Sequence, residues 1–427
     1  MAKTRKFSLT QEILIAMVAG AILGVLLNQL FPETAFVGDI VVGGFFATIG
    51  KLFVSGLKML VVPLVFVSLF CGVTALGDIA ALGRIGLKAI LLYLFTTATA
   101  ITVALTVAGG VSPGEGFVVE SDVAFTGREA PPLSEVIANL VPSNPVAALA
   151  DGNMLQIIVF AILLGIAATL AGERGEHVRS LFTDLNEVIM KMVGIVMRLA
   201  PIGVFCLIAK TFATQGLDVI LPLASYFLCV VVALLLHACG VFSLLLVFLG
   251  RINPLMFFRK MRAALVFAFS TASSNATIPV TLNTVEHRMG VKNAVASFTV
   301  PLGATINMDG TAIMQGVATV FISYVYAVDL GMTEYLTVVL TATLASIGTA
   351  GVPGVGLIML SMVLIQVGLP VEAIGLIIGV DRLLDMMRTA VNVTGDAMVT
   401  LLIAKSEKAF NETTFADPEA GVIESDA

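Results

Sequence analysis

Charged side chains are scarce in this chain. Asp, Glu, Lys and Arg make up only 12% of its 427 residues, about half the share usual in a soluble domain. Such a sequence lacks the polar cover that water-soluble domains of this total length need. Metal-ligating residues are equally sparse. Cys71, Cys206, Cys229 and Cys239 are scattered through apolar stretches with no CxxC or Cys/His spacing, so they read as small buried hydrophobes. His177, His237 and His287 stand alone and form no ligand set. No basic tract points to nucleic acid. The net charge of −6 says little about partners, because its distribution matters more. No nucleophile–base pair or metal cluster of the kind an enzyme needs is visible.

What the chain has instead is apolar sequence: 58% hydrophobic residues and a mean hydropathy of +1.04. Apolar segments cover about 9–31, 40–76, 80–109, 132–171, 180–214 and 218–249. A membrane span needs about 20 residues. Several of these runs are longer, so tilted or broken helices are expected within one polytopic membrane unit. Met1–Lys6 followed by Ile13–Leu27 has the outline of a signal peptide. Because the apolar character continues through the chain, the segment reads as a first, retained transmembrane helix. Lys3, Arg5, Lys6, Arg84, Lys88, Arg174, Arg179, Arg251, Arg259, Lys260, Arg262, Arg288, Lys292, Lys405 and Lys408 fall at segment ends that alternate to one side, and the opposite connections carry little beyond Arg128. The positive-inside rule then places both termini in the cytoplasm. The polar, acidic tail at 410–427 is expected to be disordered.

The second half is patterned differently. Two apolar stretches are interrupted by polar motifs rich in Gly or Pro, at Thr271–Pro279 and Ser346–Gly354. Each is followed by a helix carrying polar residues: Asn307-Met-Asp-Gly-Thr311 after the first, and Gly379–Asp396 after the second. Paired interruptions in corresponding halves point to a secondary transporter's binding site, since backbone can leave the helix in a membrane only where it lines a cavity or is buried in protein. In Gly379–Asp396 the polar groups form one stripe. At about 100° per residue from Asp381, Arg388 falls near −20°, Asn392 near +20°, Asp385 near +40°, Asp396 near +60° and Thr389 near +80°. Intramembrane charges cost roughly 3 kcal/mol each on insertion scales, and their default reading is functional.

The chemistry available is specific. Arg388 is a permanently charged fork suited to a carboxylate. Asp385, one turn earlier, can accept from an ammonium group. Together they fit a zwitterion with an additional carboxylate. The hydroxyls of Ser273 and Ser274 suit a second carboxylate, and Thr311, Thr389 and Asn392 add neutral hydrogen bonds. Asp309 and Asp396, near many carbonyls and hydroxyls, are hard oxygen ligands of the kind a small cation such as Na⁺ takes. The alternative for Arg388 and Asp385 is a structural i,i+3 pair. Asp381 and Arg382 read as structural or gating ion pairs.

Three motifs carry a resemblance. Asn307-Met-Asp-Gly-Thr311, Gly348-Thr-Ala-Gly-Val-Pro-Gly354 and Asp385-Met-Met-Arg-Thr-Ala-Val-Asn-Val-Thr-Gly-Asp396 resemble those of the dicarboxylate/amino acid:cation symporter family, which includes the glutamate transporters. The likeness is nearest to the prokaryotic sodium-coupled aspartate and glutamate symporters. It implies an all-α membrane protein with eight transmembrane helices, two re-entrant hairpins with inverted repeats, a homotrimer and an elevator-type mechanism. By that resemblance, scaffold helices lie in 1–79 and 132–214. The transport domain comprises 80–109 and 218–409. Substrate binding is implied for Ser273, Ser274, Thr311, Val352, Gly356, Asp385, Arg388, Thr389 and Asn392. Sodium binding is implied for Asp396 with Gly303, Asn307 and Asn392; for Thr305, Ser346, Ile347 and Thr349; and for Tyr93, Thr96, Thr97, Asn307 and Asp309.

The chain also departs from the family pattern. Ala272 and Met386 occupy the two positions where relatives place an arginine beside the amine-binding aspartate. Asn275 replaces a hairpin-tip serine. Gln315 stands where animal glutamate transporters carry a glutamate linked to proton coupling. The expected activity is sodium-driven import of L-aspartate and/or L-glutamate across the plasma membrane, with sodium co-transported. C4-dicarboxylate or proton-coupled glutamate symport on the same fold, or an ion channel, are the competing readings.

Overall fold

The computed structural model describes residues 9–31, 34–74, 79–117, 141–347, 349 and 351–421. The expectations placed on Lys3, Arg5, Lys6, Arg128, Gly348, Ala350, residues 132–140 and the last six residues lie outside them. Among the described residues the chain is helical throughout. The single β-bridge, Val291 to Phe410, is isolated.

Helix α1 is Leu9–Leu30. A π-helical turn, Phe36–Phe46, leads into α2, Ala47–Thr74. Then follow α3 (Ile79–Val111), α4 (Met154–Leu170), α5 (Glu173–Arg198), α6 (Ala200–Gln215) and α7 (Ile220–Leu235). Helical winding continues beyond α7 to Gly250, with two π-helical stretches. Four stretches are long and apolar enough to cross a membrane: Gln11–Leu30, Phe36–Cys71, Arg84–Val111 and Ile220–Gly250. The α5–α6 pair, bent by 46° at its break, makes a fifth among the described residues if the two helices count as one span.

The rest of the chain is broken into shorter pieces, as the interruptions in the sequence suggest. Helix α8 (Pro254–Thr271) and α9 (Ser274–Asn283) pack against each other across a two-residue turn. Helices α10 (Asn293–Ile306) and α11 (Asp309–Val325) are separated by the non-helical pair Asn307–Met308. A second packed pair, α12 (Met332–Ser346) and α13 (Val355–Gln366), is followed by α14 (Ile374–Ser406). At 33 residues, α14 is about 50 Å long at 1.5 Å per residue. It is buried along almost its whole length, so the polar stripe read from its sequence faces protein.

The helices sort into two packed groups. Helices α1, α2, α4, α5 and α6 contact one another, while α3 and α7–α14 assemble around α14. The groups meet where α13 lies on α2 and where α14 lies on α6 and α1. Within the first group, α1 crosses α6 at very short range through Gly20 and Gly24, a small-xxx-small spacing that lets backbones approach closely. A Cβ at Gly20 would lie 2.7 Å from the Phe205 carbonyl oxygen, and one at Gly24 only 2.6 Å from that of Ala209.

The tail corrects one expectation. Residues 410–421, read as disordered, are folded as far as they are described. Helix α15 (Glu412–Ala416) is capped by Asn411. The Asn411 amide donates to the Gly290 carbonyl, and the Lys292 amide to that of Ala409. The decisive residue is Lys260, fully buried in α8. Its ammonium donates to the carbonyls of Arg288, Thr414 and Asp417 and sits 5.6 Å from the Phe415 ring centroid. A buried ammonium must find acceptors, and the polar tail supplies two of the three.

Gly24→Val should overpack the α1–α6 crossing at a cost of about 1–3 kcal/mol. The expected result is a lower melting temperature in detergent. An unchanged melting curve would show that the crossing opens freely.

Candidate functional site

The two broken hairpins meet tip to tip. Ala272 closes α8 in the left-handed region at φ 49°, and the chain enters α9 through extended Ser273, which caps it by accepting from the Ala276 amide at 3.2 Å. The Ser273 hydroxyl donates to the Gly351 carbonyl at 2.7 Å, and the Asn275 amide donates to the same carbonyl at 3.1 Å. Below this junction lies a polar cavity lined by Ser274, Thr311, Val352, Gly356, Asp385, Thr389 and Asn392, together with Ala272, Met308, Thr349 and Gly351. Its volume is about 10 Å³, room for one water at most. Seven of the nine residues expected to bind substrate therefore line one small space.

The other two flank it. Ser273 is the tip residue just described. Arg388 is fully buried and its guanidinium lies beside Gly356, where an added Cβ would be 3.1 Å from Nη2. Arg388 Nη2 donates to Asp385 Oδ1 at 2.7 Å. Its Nη1 lies 3.0 Å from Asp381 Oδ1, but the pair is not aligned as a hydrogen bond, and Nε and Nη1 both lack hydrogen-bond partners. Arg382, one turn from Asp385, reaches its Oδ2 at 3.3 Å. Asp381 and Arg382 thus form ion pairs within the cluster. On its other side Asp385 also borders a second cavity, of about 130 Å³, walled by Phe53, Leu57, Ala200 and Val204 of the first helix group.

Two further carboxylates lie deeper. Asp396 Oδ1 accepts from Asn307 Nδ2 at 2.9 Å, and the same amide donates to the Asn392 carbonyl at 3.1 Å. Asn392 Oδ1 in turn accepts from the Gly310 amide at 2.7 Å, satisfying the start of α11. Gly303 is a close-approach position: a Cβ there would lie 2.5 Å from Asp396 Oδ1 and 2.7 Å from the Tyr93 hydroxyl. Asp309 accepts from Thr97 at 2.7 Å and lies 3.4 Å from Thr96 Oγ1. Tyr93 donates to the Thr299 carbonyl at 2.9 Å. Of the remaining expected sodium residues, only Thr349 reaches the central cavity. The hydroxyls of Thr305 and Ser346 turn back to carbonyls of their own helices, and Ile347 ends α12.

Asp309 and Asp396 are buried, at 0% and 2% exposure. Among the described residues neither pairs with lysine or arginine. An ionised carboxylate without a countercharge is costly to bury. Sequence reasoning missed one neighbour. His237 is fully buried, and its Nε2 lies 3.0 Å from Asp309 Oδ2. It sits in the π-helical stretch Leu236–Val241, a distortion frequent at functional sites. A lone histidine in an apolar run gives no such signal.

These features define a helical protein with several membrane-length apolar helices and a core that gathers buried polar and charged side chains. Comparison with known proteins makes the class specific. Residues 9–406 match the model of the sodium:dicarboxylate symporter family. The proton/glutamate-aspartate symporter of Escherichia coli (strain K12) is 36% identical over 421 residues, covering 96% of this chain and 95% of that protein. The proton/sodium-glutamate symport protein of Bacillus caldotenax is 33% identical, covering 96% of each chain. The C4-dicarboxylate transport protein of Bacillus subtilis (strain 168) is 32% identical, covering 97% of this chain and 98% of that one. The chain belongs to the sodium:dicarboxylate symporter family. It is an integral membrane transporter, not an enzyme.

Gly303→Ala should press a methyl group into Asp396 and Tyr93, at about 1–3 kcal/mol. A thermal scan of the purified protein should show the loss as a lower midpoint. Wild-type melting would mean that these neighbours yield without strain.

Proposed function

We propose that this chain is a sodium-coupled symporter that imports acidic amino acids, L-aspartate and/or L-glutamate, through the plasma membrane. The observation that carries this reading is Arg388: fully buried, with Nε lacking a hydrogen-bond partner and Nη1 unaligned with Asp381 at 3.0 Å among the described residues, and Asp385 beside it at 2.7 Å. Unsatisfied buried donors of a guanidinium suit a ligand carboxylate. An incoming ammonium group would replace Arg388 and Arg382 as the partner of Asp385. Ser273, Ser274, Thr311, Thr389 and Asn392 then hold the second carboxylate and the pose, with Val352 and Gly356 completing the wall.

Sodium is the proposed driving ion. The buried carboxylates Asp309 and Asp396, neither paired with lysine or arginine among the described residues, support it, surrounded by Thr96, Thr97 and Tyr93 on one side and by Asn307, Asn392 and the close-approach glycine Gly303 on the other. Thr305, Ser346, Ile347 and Thr349 form the third proposed site, beside the tip of the second hairpin. Gln315 cannot carry a proton as a glutamate could. Sodium bound there orders the second hairpin, so that only a loaded or empty carrier crosses.

The reading extends to architecture. Eight spans, two re-entrant hairpins (α8–α9 and α12–α13) and cytoplasmic termini are proposed. The group containing α1, α2, α4, α5 and α6 is the scaffold of a homotrimer. The group around α14 is the moving element of an elevator, and the apolar walls of the 130 Å³ cavity give it a surface with few polar bonds to break.

One observation favours a second reading. Asp385 is already matched by Arg382 and Arg388, a pairing that needs no amine. A C4-dicarboxylate substrate would then suffice, as the name of the Bacillus subtilis relative indicates for that protein.

In proteoliposomes, labelled aspartate uptake should follow an imposed sodium gradient, with glutamate competing better than succinate or serine. Uptake driven by a proton gradient alone would overturn the sodium assignment. Asp385→Ala should reduce aspartate uptake at least about 100-fold, the loss of a charge-assisted bond worth roughly 3 kcal/mol. Undiminished aspartate transport by that variant, or preferred competition by succinate, would transfer the assignment to dicarboxylates.

A further inference from the structure

A cavity of about 750 Å³ lies away from the site, between the two arms of the first hairpin and the folded tail. One end is basic. Arg259, Arg262 and Arg288 line it against a single acid, Glu419. Arg259 is only loosely matched by Glu419, at 3.6 Å with both side chains more than half exposed. Arg262 is exposed and forms no ion pair among the described residues. Arg288 Nε is buried without a hydrogen-bond partner, and its Nη1 is committed to the Lys260 carbonyl. Behind them Lys260 adds a fourth cation, whose donors are used by carbonyls. Among the described residues, one acid in the lining faces three arginines.

The other end is apolar and lies in register with it. Arg259, Arg262, Ala263, Val266, Phe267, Ser270 and Thr271 recur at the three- and four-residue spacing of one helix face. Val266 and Phe267 are exposed, at 67% and 40%, and Val280 of α9 faces them across the cavity. Ser270 and Thr271 spend their hydroxyls on the carbonyls of Val266 and Phe267, so they demand nothing from a ligand. From Arg259 to Thr271 this stripe is about 18 Å long at 1.5 Å per residue. One leaflet of a bilayer holds about 15 Å of hydrocarbon. A cationic end followed by an exposed apolar strip of leaflet length is complementary to an amphiphile with an anionic head.

We propose that this groove binds an anionic phospholipid, its phosphate held by Arg259, Arg262 and Arg288 and one acyl chain laid along Val266, Phe267 and Val280. The tail helps to build the site, because Pro418, Glu419 and Gly421 close its basic end and Lys260 fastens that segment. The proposal rests on the topology above only in setting this end of α8 at a membrane boundary, and its test needs neither substrate nor sodium.

Full-length protein, stripped of lipid in detergent, is incubated with equal amounts of phosphatidylglycerol and phosphatidylcholine, and the retained lipid is quantified by mass spectrometry. Phosphatidylglycerol should be enriched. Each of Arg259→Gln, Arg262→Gln and Arg288→Gln should lower that preference roughly fivefold, equivalent to about 1 kcal/mol per arginine. Arg262→Gln removes no ion pair and so keeps the test valid if the other variants fold poorly. Arg251→Gln, an exposed arginine at the start of the same hairpin but outside the groove, should change nothing. Equal retention of the two lipids would overturn the proposal. So would an effect of Arg251→Gln as large as that of Arg262→Gln, which would mark a diffuse charge effect. Complete displacement by an equal concentration of glycerol phosphate would also overturn it, by showing a site for soluble phosphate. Loss of sodium-driven uptake with lipid preference intact would count against the transport reading alone.

Discussion

The constraint on which the rest of this structure depends is the burial of charge in α14. Asp381, Asp385, Arg388 and Asp396 lie on a helix that is enclosed on nearly every side. Left alone, each charge would cost several kcal/mol. The surrounding architecture is a set of answers to that cost. Arg388 and Arg382 neutralise Asp385 and Asp381 within the helix itself. Asn307, from the break between α10 and α11, reaches Asp396. Gly310 and Gly356 carry no side chain because α14 passes too close: a Cβ on Gly310 would lie 2.8 Å from the Arg388 Cα.

The broken helices follow from the same demand. Backbone that leaves the helix frees amides and carbonyls, and here those groups are turned toward the polar core. The Gly310 amide is taken by Asn392, and the Gly351 carbonyl by Ser273 and Asn275. The small cavity between the hairpin tips lies beside these groups. The arginines and aspartates there pair with one another, and among the described residues two nitrogens of Arg388 have no aligned hydrogen bond.

Some residues were legible from sequence because they break a pattern. The stripe from Asp381 to Asp396 stands out against apolar flanks, and the paired interruptions at Thr271–Pro279 and Ser346–Gly354 announce non-helical backbone. Others obey the pattern and stay hidden. His237 and Thr299 sit in apolar or helical contexts that give no periodic signal, and only the fold brings them to Asp309 and Tyr93. The tail misled for a related reason. Its composition is that of a disordered segment, but composition does not register that Lys260, a buried lysine 154 residues before Thr414, needs acceptors that the tail can supply.

By itself the sequence determined that the chain is helical and membrane-embedded, and it singled out the polar residues that break the apolar pattern, because low charge, long apolar runs and misplaced polar residues are local properties. It also ordered the polar groups of α14 on one face, since helical periodicity follows from backbone geometry alone. Only the tertiary structure decided which groups pair. Asn307 reaching Asp396, His237 lying beside Asp309, and Lys260 gripping the tail all depend on distances between segments far apart in the chain. Those distances are set by packing of the whole helix assembly, which no single stretch of sequence contains.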